Sequence, residues 1–123
     1  MADSEPGDRY RIERLSEKDA VRCPCGLARR AFADDADGPA SIHVVDISGD
    51  SEAHYHKHHT EIYYVLDGEG HVELDGEKVP VGPGTAILME PGCRHRAVGA
   101  LQVLNICIPP FDPRDEHFDE STR

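Results

Sequence analysis

Apolar and polar positions change over short distances along most of the chain, and no stretch keeps the three-and-four spacing of a long amphipathic helix. Ser41–Ile47 (SIHVVDI) lies between Pro39 and Gly49, and residues 61–66 (EIYYVL) lie between Thr60 and Asp67-Gly68. Both are rich in β-branched or aromatic side chains and bounded by turn formers, so they read as strands. Residues 71–74 and 78–81 flank Asp75-Gly76, a pair that suits a tight hairpin because both residues tolerate positive φ. Ala86–Met89 and residues 94–98 are short strands on either side of Pro91-Gly92, and residues 101–108 form a longer one stopped by Pro109-Pro110. Toward the ends, residues 11–15 suggest a strand and residues 16–21 a short helical turn. Asp112-Pro113, followed by Asp115 and Glu116, sets an N-cap with proline in the first helical position, which predicts one helical turn. Seven or eight short strands at turn spacing indicate a closed all-β sandwich or barrel, which removes exposed edges.

The 123 residues suit one domain, expected over residues 11–123 with a barrel core at about 40–110, preceded by a flexible polar tail over residues 1–10. Without tryptophan, and with 38% hydrophobic residues, the core must come mainly from Val, Ile, Leu and Ala. Thirteen Lys and Arg against twenty-four Asp and Glu leave a net charge of -11. That balance argues against nucleic acid and anionic membrane surfaces as partners, since both demand a positive face, although it leaves room for a local basic pocket. The longest apolar stretch, residues 101–108, is far short of the roughly 20 residues that cross a bilayer. No positive segment followed by an apolar one opens the chain, so the cytoplasm is the expected compartment and the four cysteines are expected as thiols.

Four of the eight histidines fall within HYHKHHTE, residues 54–61. His54 and His56 are two apart, so on an extended strand they share a face. Glu61 opens the next strand, with Tyr63 and Val65 on its face, and two imidazoles and a carboxylate can therefore converge. His95, just after Pro91-Gly92, could supply a third imidazole. Such a set is of intermediate softness and suits Fe, Mn, Ni, Zn, Co or Cu better than Ca or Mg, which take oxygen ligands throughout.

The run His54-x-His56-x4-Glu61-x6-Gly68 resembles the first conserved motif of the cupin superfamily, and Gly84-x5-Glu90-Pro91-Gly92-x2-His95 resembles the second. The resemblance spans residues 49–98 and implies a double-stranded β-helix, the cupin jelly-roll barrel, with His54, His56, Glu61 and His95 binding one divalent transition metal inside it. Three positions depart from the family pattern: four residues rather than five separate Gly49 from His54, Glu90 replaces a usual proline, and Gly99 replaces a usual asparagine. None removes a ligand.

The remaining candidates are less specific. His58 and His59 fall in the turn between the ligand strands and read as surface residues, though either could replace a ligand. His43 and His71 read as strand residues facing solvent or hydrogen-bonded, and His117 as part of a polar tail. Cys23-Pro24-Cys25 has CxC rather than CxxC spacing and reads as an ordinary loop, while Cys107 reads as a small buried hydrophobe. One of Arg29, Arg30, Arg94 and Arg96 could reach the pocket mouth and hold a carboxylate. Tyr63 is the candidate catalytic side chain, with a packed aromatic as the alternative.

These features lean toward a metal-dependent enzyme on a small polar metabolite, with oxygenase chemistry slightly ahead of a non-redox isomerase, epimerase or lyase. A non-catalytic metabolite-binding or sensing cupin is the alternative of a different class. Tyr64 and Leu66 point away from the ligand face and need covering by a second layer of the same chain or by a partner subunit, and a homodimer is expected.

Overall fold

The computed structural model describes residues 7–49 and 51–118. The expected N-terminal tail therefore lies, over residues 1–6, outside the described residues. Among the described residues nine strands follow in order: β1 (Val21–Cys23), β2 (Gly26–Ala31), β3 (Ser41–Ile47), β4 (His54–Tyr55), β5 (Thr60–Leu74), β6 (Glu77–Val81), β7 (Ala86–Met89), β8 (His95–Ile108) and β9 (His117–Phe118). With two single 3-10 turns, Leu15–Glu17 and Pro113–Asp115, they form the all-β jelly-roll barrel of a double-stranded β-helix. No helix among the described residues is long and apolar enough to cross a membrane.

Strand β8 is the hub, pairing antiparallel with β3, β4 and β5. It and β5 run together from Thr60 opposite Ile108 to Leu74 opposite His95, with a bulge between Val65 and Asp67. The sequence pattern divides each of these strands in two at its glycines, yet the structure carries both through. A Cβ on Gly68 would lie 2.0 Å from the Ala100 carbonyl oxygen, and one on Gly70 would lie 2.1 Å from that of Val98. The glycines thus mark where two backbones press together and the sheet curls, a close approach that reads locally like a strand end.

At the N-terminal end the expected strand at 11–15 is absent, and the turn expected at 16–21 is displaced to Leu15–Glu17, with Val21 already in β1. Pairing with β2 decides this, and β1 and β2 together form a hairpin whose turn is Pro24-Cys25. Gly26 has φ of 148°, and a Cβ there would lie 2.1 Å from the Asp46 carbonyl oxygen. The Asp75-Gly76 turn is as expected, with φ of 49° and 88°. The Asp112 carboxylate accepts the Arg114 N–H at 2.9 Å and caps the second 3-10 turn.

The strand registers stack the inward side chains in rungs. Ala28, Val45, Val103 and Val65 make one rung, buried within a core that also holds Ile47, Val72, Val81 and Leu101. The next is Arg30, His43, Asn105 and Tyr63, and beyond it lie Ser41, Cys107, Glu61 and Met89. The barrel interior is therefore apolar at one end and polar at the other. The outward rungs are apolar too: Ile42, Ile106, Ile62 and Leu88 in one, Val44, Leu104, Tyr64 and Ala86 in the next, with Leu88 62% and Tyr64 43% exposed.

Candidate metal centre

Direct pairing of β4 with β8 sets His54 opposite His95, and Glu61 enters from the second position of β5. His54, His56, Glu61 and His95 are all buried, and each brings one ligand atom to within 4.8 Å of the others. The loops that carry them are pinned. Ser51 Oγ donates to the Ala97 carbonyl at 2.8 Å and accepts the Ala97 N–H at 2.8 Å. The Gly92 N–H donates to the His56 carbonyl at 2.6 Å, tying the turn before His95 to the other ligand loop.

Every imidazole of the cluster turns Nδ1 toward a backbone carbonyl: His54 to Glu52 at 2.9 Å, His56 to Asp115 at 2.9 Å and His95 to Cys93 at 3.0 Å. A carbonyl only accepts, so each Nδ1 carries the hydrogen, and in the neutral ring Nε2 is left as a lone pair. His56 Nε2 then lies 2.5 Å and His95 Nε2 3.5 Å from Glu61 Oε1. That places lone pair against lone pair unless a proton or a cation lies between. His95 Nε2 and Glu61 Oε1 are buried with no hydrogen-bond partner among the described residues. Anchored Nδ1 and converging Nε2 atoms are the outer-shell pattern of metal-ligating histidine, so the donor set fits a transition metal.

The electrostatics of the metal-free cluster show the same tension. Burial, then the neighbouring His95, pushes His54 down to about 4. Burial also pulls on His56, but the hydrogen bond and charge of Glu61 outweigh it and the ring is raised. For Glu61 burial acts upward, and His56 and His95 more than reverse it, holding the carboxyl well below the usual carboxylate range. The cluster borders a small cavity of about 30 Å³, walled by Arg30, His43, Asn105, Phe111 and Glu116, with the Cys23-Pro24-Cys25 turn on one side.

The cupin domain family model matches residues 41–106, more than half of the chain and both ligand motifs. The chain belongs to the cupin family. This cupin is 32% identical over 111 residues to an L-ectoine synthase of Mycobacterium sp. (strain KMS), across 86% of this chain and 84% of that one. A crystal structure of a protein from Planctomyces limnophilus is 45% identical and superposes with a TM-score of 0.84 over 89% of this chain and 96% of that chain. Streptomyces Pac13, described as a nucleoside dehydratase, shares the fold at 21% identity, with a TM-score of 0.77 over 93% of the cupin and 97% of its own chain.

The remaining candidates fall as follows. Tyr63 is 3% exposed and packs beside the site, its ring edge on His95 at 5.9 Å between centroids and its hydroxyl 3.8 Å from Cys25 Sγ; burial pushes its phenol far up. His58 is exposed, as the turn suggests, but His59 is buried. Its Nε2 donates to the Pro110 carbonyl at 3.0 Å, and its Nδ1 lies 3.3 Å from Asp115. The C-terminal segment that folds over the ligand loop covers it, which local polarity does not announce. The same carboxylate accepts the Lys57 and His58 N–H groups at 2.9 and 2.8 Å, so Asp115 organises the turn that holds His56. His117, expected in a polar tail, pairs with Tyr55 in β9 and stacks on its ring at 5.3 Å. Cys107 is buried as expected.

His43 is 3% exposed and hydrogen-bonded to Ser41 at 2.8 Å, which is the second of its two expected roles. Its place on the cavity wall was legible, because it alternates with Ser41, Val45 and Ile47, the buried face of its strand. Burial, then the charge of Arg30, lowers it to about 4, so it is a neutral imidazole. Cys23 and Cys25 are free thiols in hydrogen-bond contact, Cys23 lowered by that bond and Cys25 raised by it and by burial.

Proposed function

We propose that this cupin is a metal-dependent enzyme on a small polar metabolite, with His54, His56, Glu61 and His95 holding one divalent transition metal. The observation that carries the reading is the set of three buried imidazoles whose Nδ1 atoms are tied to carbonyls and whose Nε2 atoms meet at Glu61. A metal bound there would act as a Lewis acid on a carbonyl or hydroxyl, or bring substrate and dioxygen together. The ligand set alone slightly favours the oxygenase branch. The relatives move the balance to the non-redox branch, since the names they carry are ectoine synthase and nucleoside dehydratase, and a lyase is the reading adopted. His43 suits the proton-moving role better than Tyr63: burial lowers it to about 4, which favours the neutral ring, and it lines the cavity. The reducing cytoplasm, where its four thiols persist, is the proposed compartment.

Elemental analysis of tag-free protein purified without chelator tests the metal, with about one transition metal per chain expected. Protein that arrives empty and takes up no Fe, Mn, Ni or Zn on titration would sink the reading. Turnover that persists without oxygen supports the lyase branch, and turnover that requires oxygen returns the oxygenase. Binding of small acids, diketones and sugars with no conversion under either condition would make it a sensing cupin.

A homodimer through the outer face of β3, β8, β5 and β7 belongs to the same proposal. The eight side chains of those two rungs on β3, β8, β5 and β7 are uncharged, so a second copy can meet the chain there without burying a charge. A solution mass of 13.6 kDa by light scattering at micromolar concentration would overturn it.

A further inference from the structure

Within the barrel, the cavity wall changes character over a single rung. Ala28, Val45, Val103 and Val65 are followed two residues on by Arg30, His43, Asn105 and Tyr63, and the first three of these line the cavity that holds the metal cluster. Arg29 is exposed on the other face of β2, so strand alternation, not local charge, selects Arg30. Its guanidinium carbon lies over the Phe111 ring at 4.7 Å from the centroid, a cation–π contact that holds it at the wall. The Nε atom is buried without a hydrogen-bond partner among the described residues. A buried, oriented and unpaired donor of this kind is costly to leave unmet. Asn105 stands in the same rung; its Oδ1 faces the Cys107 thiol at 3.9 Å, so its amide N–H groups remain as donors.

We infer that Arg30, supported by Asn105, is the seat for a substrate carboxylate, and that the metabolite is a small organic acid lying between this fork and His54, His56, Glu61 and His95. The inference rests on the metal-enzyme reading for the far end of the ligand only. A carboxylate matches the fork with two parallel N–H···O bonds, which a lysine at the same place cannot form. Glu116, on the same cavity wall, opposes a second negative charge nearby and favours acids with one carboxylate at the Arg30 end.

The test is calorimetric titration of zinc-loaded, full-length protein with malonate, succinate and glutarate, and with their diamides as neutral probes. Wild type should bind at least one diacid and none of the diamides. Arg30→Met, which keeps the stem over Phe111, should weaken that diacid at least tenfold; Arg30→Lys should fall between, and Arg29→Met should match wild type. Metal content, measured on each protein, should be unchanged in all of them. Equal binding of the diacid to Arg30→Met and wild type overturns the inference, as does equal binding of acid and diamide, or no diacid binding to wild type. Should Arg30→Met fail to fold, Arg30→Lys decides by the same comparison. Wild type without metal but with Arg30-dependent diacid binding would fail the enzyme reading and leave the carboxylate seat standing.

Discussion

Along β2, β3, β8 and β5 the apolar rung of Ala28, Val45, Val103 and Val65 and the polar rung of Arg30, His43, Asn105 and Tyr63 are two residues apart on the same face. The apolar rung is closed by neighbours of its own kind and leaves no polar atom to satisfy. The polar rung borders a cavity and carries an unpaired guanidinium nitrogen, while the cluster beyond it keeps an unpaired imidazole nitrogen and carboxylate oxygen. One end of the barrel gains stability by burial; the other accepts buried polar groups whose cost a bound ligand would offset. Stability and chemistry therefore divide along the barrel axis, and substitutions at the two ends should separate the two properties.

The largest effect should come from Glu61→Ala or His95→Ala. Either removes a donor from the cluster and should weaken metal binding beyond the 10 to 100-fold typical of losing an outer partner, as read by competition with a chromogenic chelator; unchanged affinity would remove these residues from the site. At the closed end, Val65→Ala deletes two buried methyl groups and should cost about 2 kcal/mol in urea unfolding, with metal affinity intact. If it were metal affinity that fell instead, the two ends would not be separable.

A smaller effect tests the C-terminal segment. Asp115→Ala frees the Lys57 and His58 N–H groups and loosens the turn around His56, so metal affinity should drop about tenfold; an unaltered affinity would make the contact purely structural. The last test is the acid sensitivity of the metal-free protein. His43 and His54 are both lowered to about 4 by burial first, so each contributes stability in its neutral form. As pH falls from the ordinary histidine value toward 4, the unfolded chain takes up protons that the folded chain refuses. Each group then removes as much as about 1.4 kcal/mol per pH unit. His56 has the opposite sign: raised by Glu61, its contribution is complete in mild acid and is lost as pH rises through its folded value. Urea melts that stay flat from pH 6.5 to 5 would show that the two lowered rings are not buried as described.

Local sequence was enough for the elements whose physics is local. β-Branched residues between Pro39 and Gly49 marked Ser41–Ile47 as a strand, the tolerance of Asp75-Gly76 for positive φ marked the hairpin, and the Asp112 cap marked the last turn. The spacing of His54, His56 and Glu61, with His95 after the Pro91-Gly92 turn, was also enough to nominate the four donors that the structure gathers within 4.8 Å. Tertiary pairing decided the rest. Gly68, Gly70 and Gly99 look like strand breaks until the facing backbones are in place, and β1 exists only because β2 lies beside it. The burial of His59 required the C-terminal segment to fold over the ligand turn. Which of four arginines faces the cavity depended on the parity of β2 against β3 and on the Phe111 ring beneath Arg30. Periodicity along one strand says which residues share a face, but only contact with other strands says which face is inside and what lies across it.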